Sequence, residues 1–83
     1  MKVNVTLRYL QKTVVEIRTV EEVDESCTAG ELSSRVMEAH TKEAGINFTG
    51  ANIAVLVNGR LAVAGQRLNE NDEMKIIPVA AGG

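Results

Sequence analysis

Aromatic side chains are almost missing from this sequence, since Tyr9 and Phe48 are the only Phe, Trp or Tyr among 83 residues. Proteins that bind single-stranded nucleic acids stack the bases on such rings. Positive charge is also in short supply: 9 lysines and arginines against 11 aspartates and glutamates leave a net charge of −2. Nucleic acid binding requires a basic surface, so the composition argues against nucleic acid as a partner.

Residue types that perform chemistry in enzymes are equally scarce. Cys27 is the only cysteine and His40 the only histidine, which excludes a disulfide framework and a multi-cysteine zinc site. No nucleophile–base pair can be assembled, and no glycine-rich phosphate loop occurs. We therefore expect a protein that is not an enzyme, binds no metal and no cofactor, and depends on another protein wherever ATP is needed.

Cys27 lies just before a predicted helix and admits two interpretations. Thiolates are stabilised near helix N-termini, which would suit a redox or persulfide role. The favoured interpretation is a small hydrophobic side chain in a connection.

Long apolar runs are absent as well. A membrane-spanning helix needs about 18 or more apolar residues in succession, and no stretch of this sequence approaches that length. Residues 1–10 alternate instead of forming the apolar centre of a signal peptide. We expect no membrane association and a cytoplasmic location.

The first half of the sequence predicts a hairpin followed by a helix. Apolar residues alternate with polar ones over Lys2–Leu10, and β-branched residues dominate Thr13–Thr19, which indicates two strands. The acidic stretch Val20–Ser26 is predicted to be a solvated connection. A contact with a basic partner surface is the alternative.

The helix is predicted over Ala29–Ala44 from signals at both of its ends. Thr28 and Glu31 form a capping box at the start, and Gly45 suits the residue just past the end. The expected buried stripe has the spacing of a helix face. Its members are Ala29, Leu32, Val36 and Ala39, with Met37 at the margin.

Three further strands are predicted in the second half. After a loop over 46–52, Ile53–Val57 and Arg60–Val63 flank the turn dipeptide Asn58-Gly59, and Met74–Val79 is the last strand. Pro78 should lie at that strand's end or on an edge. One helix over one face of a mixed sheet of four to five strands predicts an α+β domain of the β-grasp type, spanning residues 1–79.

The four residues after the predicted domain, 80–83, are expected to form a flexible tail. Ala80 and Ala81 add little bulk, and a Gly-Gly pair such as Gly82-Gly83 has a chance probability of only about 0.5% at a given place. A thin tail of this kind can enter a narrow pocket of another protein. The carboxylate of Gly83 is therefore the predicted reactive group, with Gly82, Ala80 and Ala81 as its arm. Because a carboxylate is a poor electrophile, it would first have to become an acyl-adenylate on an ATP-using partner.

A docking surface is predicted on the outward face of the sheet. By the parity of their strands, Leu10 and Ile77 point away from the core, and Leu61 lies just past the Asn58-Gly59 turn. Apolar residues grouped on an exposed surface indicate an interaction site. Leu10, Leu61 and Ile77 are thus the predicted partner-binding residues of the sheet.

Four stretches carry a resemblance to a known family. They are Val5-Thr6-Leu7-Arg8-Tyr9, Thr28-Ala29-Gly30-Glu31-Leu32, Val57-Asn58-Gly59 and residues 68–83. In these stretches, and above all in the order Asp72, Pro78, Gly82-Gly83, the sequence resembles the MoaD/ThiS family of ubiquitin-like sulfur carriers. The turn before Asp72 lacks the glycine common in that family, and the first hairpin is tight, as in ubiquitin.

The resemblance implies a β-grasp fold and a function. An E1-like enzyme would adenylate Gly83, and the resulting thiocarboxylate would donate sulfur in molybdopterin or thiamine synthesis. The approach Ile77-Pro78-Val79 is most similar to the small subunit of molybdopterin synthase, which makes the large subunit of that enzyme a candidate partner. Two alternatives remain open: a protein modifier joined through Gly83 to lysines of target proteins, and a purely structural module.

Overall fold

The computed structural model describes residues 1–45 and 52–79, which form five strands and one helix. The elements are β1 Lys2–Gln11, β2 Thr13–Glu22, α1 Ala29–Ala44, β3 Asn52–Val57, β4 Arg60–Leu61 and β5 Glu73–Val79. The sheet has the order β2-β1-β5-β3-β4, in which β1 and β5 are parallel and the other neighbours antiparallel. The α+β prediction of a β-grasp with a mixed sheet is confirmed, and the sheet has five strands.

The first hairpin is tight, as predicted, but its second strand is longer than the sequence suggested. Lys12 alone separates the paired residues Gln11 and Thr13, and its backbone is left-handed, with φ 62°. The strand continues to Glu22, so Glu21 and Glu22 do not belong to a solvated connection. Both pair with β1, Glu21 with Val3 and Glu22 with Lys2.

The two ends of α1 were predicted correctly. The Thr28 hydroxyl accepts a hydrogen bond from the Glu31 N–H at 3.2 Å, and Gly45 ends the helix with φ 69°. One detail of the capping box differs. The Thr28 hydroxyl donates to the Glu31 carboxylate at 3.3 Å, whereas in a standard capping box that carboxylate accepts from the backbone N–H of the N-cap residue.

The face that α1 buries is rotated from the predicted stripe. Met37 belongs to the core, whereas Ala39 is exposed and Val36 is half-buried. The rotation buries the larger methionine, and it brings in Ser33, whose hydroxyl donates to the Gly30 carbonyl at 3.0 Å. A polar side chain can be buried there because its hydrogen bond is made locally.

The core lies between α1 and the inner face of the sheet. Its largest fully buried side chains are Leu7, Leu32, Met74, Ile76, Val3 and Val5. The alternation predicted for β1 is therefore correct, and Met74, Ile76 and Val57 point inward as expected.

The strand after the Asn58-Gly59 turn is shorter than predicted, because the chain leaves the sheet to cover the start of α1. Both turn residues have positive φ, 52° and 81°, as this dipeptide favours. The following strand ends at Leu61 rather than Val63. The carbonyl of Ala64 then accepts from the Gly30 N–H at 2.9 Å, and that of Gln66 from the Ala29 N–H at 2.8 Å.

Gly30 is the closest point of this contact, and its replacement tests it. A Cβ at Gly30 would lie 2.9 Å from the Ala64 carbonyl oxygen. Alanine favours a helix over glycine by about 1 kcal/mol, yet we expect Gly30→Ala to lower the free energy of unfolding by about 1–3 kcal/mol through this clash. Gly65→Ala is the matched control, because a Cβ there has no neighbour within 4 Å. Urea titration measures both variants; a Gly30→Ala protein as stable as wild type would contradict the packing described.

Candidate functional site

Strand β5 leads toward the predicted tail and lies in the middle of the sheet. Its pairing with β1 ends at Leu7–Ile76, whereas its pairing with β3 continues to Asn52–Val79. The tail residues Ala80, Ala81, Gly82 and Gly83 lie outside the described residues. Strand β5 therefore ends directly before the four residues of the predicted tail.

Pro78 fits this strand because of the direction in which its nitrogen points. Glu73 bonds to Asn58, on the β3 side: its carbonyl accepts from the Asn58 backbone N–H at 2.7 Å, and its N–H donates to the Asn58 side-chain Oδ1 at 2.9 Å. Strand residues alternate in direction, so the nitrogen of Pro78 faces the β1 side. The described pairs with β1 stop at Ile76. The missing N–H thus removes no bond from the β3 ladder, and the prediction that Pro78 lies near the strand's end is confirmed.

The beginning of β5 is fixed by a buried carboxylate. Asp72 accepts hydrogen bonds from the Asn58 side-chain amide at 2.8 Å and from the Asn69 N–H at 2.7 Å. Asn71 occupies the place where a glycine was missing; its φ is 65°, and its N–H donates to the Lys2 carbonyl at 2.8 Å. Asparagine tolerates this conformation better than most residues. The sequence identified Asp72 through the resemblance, but nothing in it revealed Asn58 as the partner.

The outer face of the sheet, opposite α1, is formed by alternate residues of all five strands. One row across it follows the pairs Arg18–Thr6, Thr6–Lys75, Lys75–Leu56 and Leu56–Leu61. Leu10 and Ile77 lie on the same face, further along β1 and β5. The predicted outward orientation of Leu10, Leu61 and Ile77 therefore agrees with the structure.

The three predicted docking residues do not form one contiguous patch. With a strand spacing of about 4.8 Å and a rise of about 3.3 Å per residue, the register places Leu10 about 20 Å from Leu61 and about 8 Å from Ile77. Leu10 is 75% exposed and faces Val14, which is 56% exposed; Leu61 is 76% exposed and faces Leu56. The outer face thus presents two apolar pairs, with the half-buried Ile77 between them.

Charged residues lie on the outer face of the sheet between these two apolar pairs. A shallow depression of about 800 Å³ on the outer face is bordered by Arg18, Lys75, Glu16 and Glu73. Arg18 and Glu16 are joined by an ion pair at 3.1 Å, in which the arginine side chain is 78% exposed. A partner that covers this face meets both apolar and charged groups.

His40 has a structural position on the opposite, inner side of the sheet. Its Nε2 lies 2.8 Å from the Tyr9 hydroxyl, and the two rings are 5.5 Å apart. Hydrogen bonds of this kind satisfy the polar end of a buried tyrosine. The pair ties the last turns of α1 to β1.

Cys27 is buried at the start of α1, in agreement with the favoured interpretation. Burial raises the pKa of its thiol, and the negative charges of Glu31 and Asp24 add to the effect while Arg35 opposes it. A raised pKa disfavours the thiolate that redox and persulfide chemistry require.

The raised pKa predicts a dependence of stability on alkaline pH. The folded thiol keeps its proton at pH values where the unfolded thiol, with a pKa near 9.0, loses it. The stabilisation from the buried thiol is therefore complete below pH 9 and declines as the pH rises toward the folded value. We expect the stability difference between wild type and Cys27→Ala to shrink above pH 9, as measured by urea midpoints across that range. A difference that is constant or grows would contradict this assignment.

Within residues 1–45 and 52–79, no group of three or more His, Cys, Asp or Glu residues is placed to hold a metal ion. In the same part of the chain, no helix has the length and apolar character needed to cross a membrane.

Comparison with known proteins gives a family and several structural relatives. The model of the ThiS family matches residues 1–83, whereas no curated protein matches the sequence. Among solved structures, H. volcanii small archaeal modifier protein 1 is 20% identical with a TM-score of 0.56, covering 93% of this chain and 98% of that one.

Two further structures show the same fold. A putative molybdopterin converting factor, subunit 1, from Pyrococcus furiosus is 22% identical with a TM-score of 0.52, covering 93% of this chain and 98% of its own. A ubiquitin-like protein from Trypanosoma brucei is 13% identical with a TM-score of 0.54, covering 98% and 96%.

Proposed function

Because the chain belongs to the ThiS family, we propose that it is a sulfur carrier whose reactive group is the carboxylate of Gly83. In this proposal the protein is a co-substrate and not an enzyme. An E1-like partner binds ATP and adenylates Gly83, and the resulting thiocarboxylate delivers sulfur to an acceptor in molybdopterin or thiamine synthesis.

The observation that carries the proposal is the family match over the whole sequence, including Gly82-Gly83. The fold supports it, since β5 is anchored at Asp72 and ends at Val79, four residues before Gly83. The folded domain supplies a rigid origin and a docking face, and the partner supplies the nucleotide.

The proposed chemistry has two steps at the Gly83 carbon. A carboxylate oxygen attacks the α-phosphorus of ATP and pyrophosphate leaves, which gives an acyl-adenylate. Hydrosulfide supplied by the partner system then attacks the acyl carbon and AMP leaves, which gives the thiocarboxylate. A small, unbranched terminus suits both steps, because glycine adds no side chain where the partner must approach closely.

The alternative function is that of a protein modifier. The structural similarity to H. volcanii small archaeal modifier protein 1 supports this alternative. Activation of Gly83 would be the same, but the acyl group would pass to a lysine amine of a target protein. The likeness to the molybdopterin converting factor subunit supports the carrier in equal measure, and it makes the large subunit of molybdopterin synthase a proposed acceptor.

Intact-mass analysis of the protein from its native cells tests the two functions. A carrier is expected to show a fraction whose mass has increased by the replacement of one oxygen with sulfur. A modifier is expected to appear covalently joined to larger proteins. Detection of neither species under conditions that demand sulfur transfer would count against both.

The outer face should supply the contact with the adenylating enzyme. We expect Leu10→Asp and Leu61→Asp each to weaken binding to an E1-like enzyme by about tenfold or more, since apolar interface anchors cost over 1 kcal/mol when lost. Ile77→Asp should act similarly, with some loss of stability because Ile77 is half-buried. Val63→Asp, at a 72% exposed position outside the strands, is the control. Calorimetric titration with unchanged affinity for all three sheet variants would remove this face from the proposal.

A further inference from the structure

The outermost strand β2 has an edge at which no strand pairs within residues 1–45 and 52–79. Met1 and Val23 exchange backbone hydrogen bonds at 2.8 and 2.9 Å across the hairpin. Because directions alternate along a strand, the odd residues of β2 bond to β1 and the even residues point to the open edge. The Glu22 carbonyl confirms this, since it accepts from Arg35 on that side at 3.1 Å.

The even residues of β2 carry a pattern that is complementary to itself. Four of them, Val14, Glu16, Arg18 and Val20, lie symmetrically about Ile17, and the fifth, Glu22, already accepts a hydrogen bond from Arg35. Both valines are exposed, by 56% and 62%. When this strand is laid antiparallel on a copy of itself about Ile17, Glu16 faces the partner's Arg18 and Val14 faces the partner's Val20.

From this complementarity we infer that β2 pairs with β2 of a second copy of this chain, in an antiparallel register centred on Ile17. The four residues whose backbone groups face the edge would exchange about eight hydrogen bonds with the partner. The contact is two-fold symmetric, so each pair occurs twice, as in most homodimers. It joins the two sheets of five strands into one, with both outer faces on the same side.

The charges select this register over its neighbours. A shift that centres the pairing on Glu16 places that carboxylate against its own copy, and one centred on Arg18 does the same for the guanidinium. Like charges directly opposite each other destabilise a pair of strands, and opposite charges stabilise it.

The pairing does not involve β5, the strand that leads to the proposed reactive residue. Strand β5 is separated from β2 by β1, so Ile77 lies away from the contact. Self-association would therefore not compete with adenylation, and failure of the proposed function would leave this inference unaffected.

Charge reversal provides the test. Arg18→Glu leaves two acidic residues at the centre of the edge, and Glu16→Arg leaves two basic ones. Both positions are exposed on the side chain, by 78% and 36%, so folding should be retained. Sedimentation velocity at low ionic strength over a wide range of concentrations should show the wild type dimerising and each variant at least about tenfold weaker.

Mixing the two variants is the decisive measurement. An Arg18→Glu chain and a Glu16→Arg chain are complementary to each other, so the mixture should form a heterodimer within about threefold of wild-type affinity. The double variant, with both charges exchanged, should again dimerise alone. Amide exchange should show protection of Val14, Glu16, Arg18 and Val20 rising with concentration, without change at Val15 and Ile17.

Two results would overturn the inference. A wild-type chain that remains monomeric at every concentration would show that β2 does not pair with a second copy. The β2 edge would then pair with an extended segment of another protein or with no strand. A dimer that is indifferent to charge reversal would mean that the copies meet on another surface.

Discussion

Deletion of Gly83 is expected to abolish adenylation without changing the stability of the domain. The acyl oxygen must be in line with the α-phosphorus of ATP, and removing one residue shifts the terminus by about 3.3 Å, far beyond the tolerance of a reaction that depends on positioning. Addition of one residue after Gly83 should have the same effect. Gly82→Val should also fail, because a β-branched side chain adds bulk and restricts the backbone.

ATP–pyrophosphate exchange with a cognate E1-like enzyme measures this effect. Denaturation by urea, run in parallel, should give the wild-type midpoint for each tail variant, since the described core uses residues up to Pro78. Exchange by the Gly83 deletion at the wild-type rate would refute the terminal-carboxylate mechanism, and with it both the carrier and the modifier functions.

Truncation of Leu32 is expected to cause the largest loss of stability. Its side chain is 0% exposed between α1 and the sheet, and Leu→Ala at a buried site removes apolar contacts and leaves a cavity, at a cost of about 2–5 kcal/mol. A domain of this size has a stability of only about 5–10 kcal/mol, so the variant should lose a large fraction of it and show a clearly lower urea midpoint.

Leu10→Ala is the matched control for this prediction, since the same chemical change is made at a site that is 75% exposed. Its free energy of unfolding should stay within about 0.5 kcal/mol of wild type. Urea titration of both variants distinguishes the two faces of the sheet. Equal losses at Leu10 and Leu32 would show that the assignment of inner and outer faces is wrong.

Local signals explain which parts of the fold could be predicted. The alternation in β1, the helix ends at Thr28 and Gly45, and the positive-φ turn at Asn58-Gly59 each depend on residues close together in the sequence. For the same reason the order of elements, and the β-grasp they imply, followed from the sequence. The tail beyond Val79 could be identified from composition and resemblance alone, and its role remains a prediction.

Contacts between distant residues explain what the prediction missed. The extension of β2 to Glu22 depends on pairing with β1, and the choice of Met37 over Ala39 depends on how α1 rotates against the sheet. The link from Asp72 to Asn58 joins residues fourteen positions apart. None of these contacts leaves a periodic trace in the sequence.

The sequence by itself determined the type and order of the helix and strands, the inner and outer parity of the strands, and the chemical character of the segment that includes Gly82-Gly83, because each depends on local composition and period. Only the tertiary structure decided that Leu10 and Leu61 belong to separate apolar pairs about 20 Å apart, since strand order and register set that distance. The tertiary structure alone also decided which backbone groups of β2 face the open edge of the sheet. That orientation determines which residues of a second copy Glu16 and Arg18 could meet.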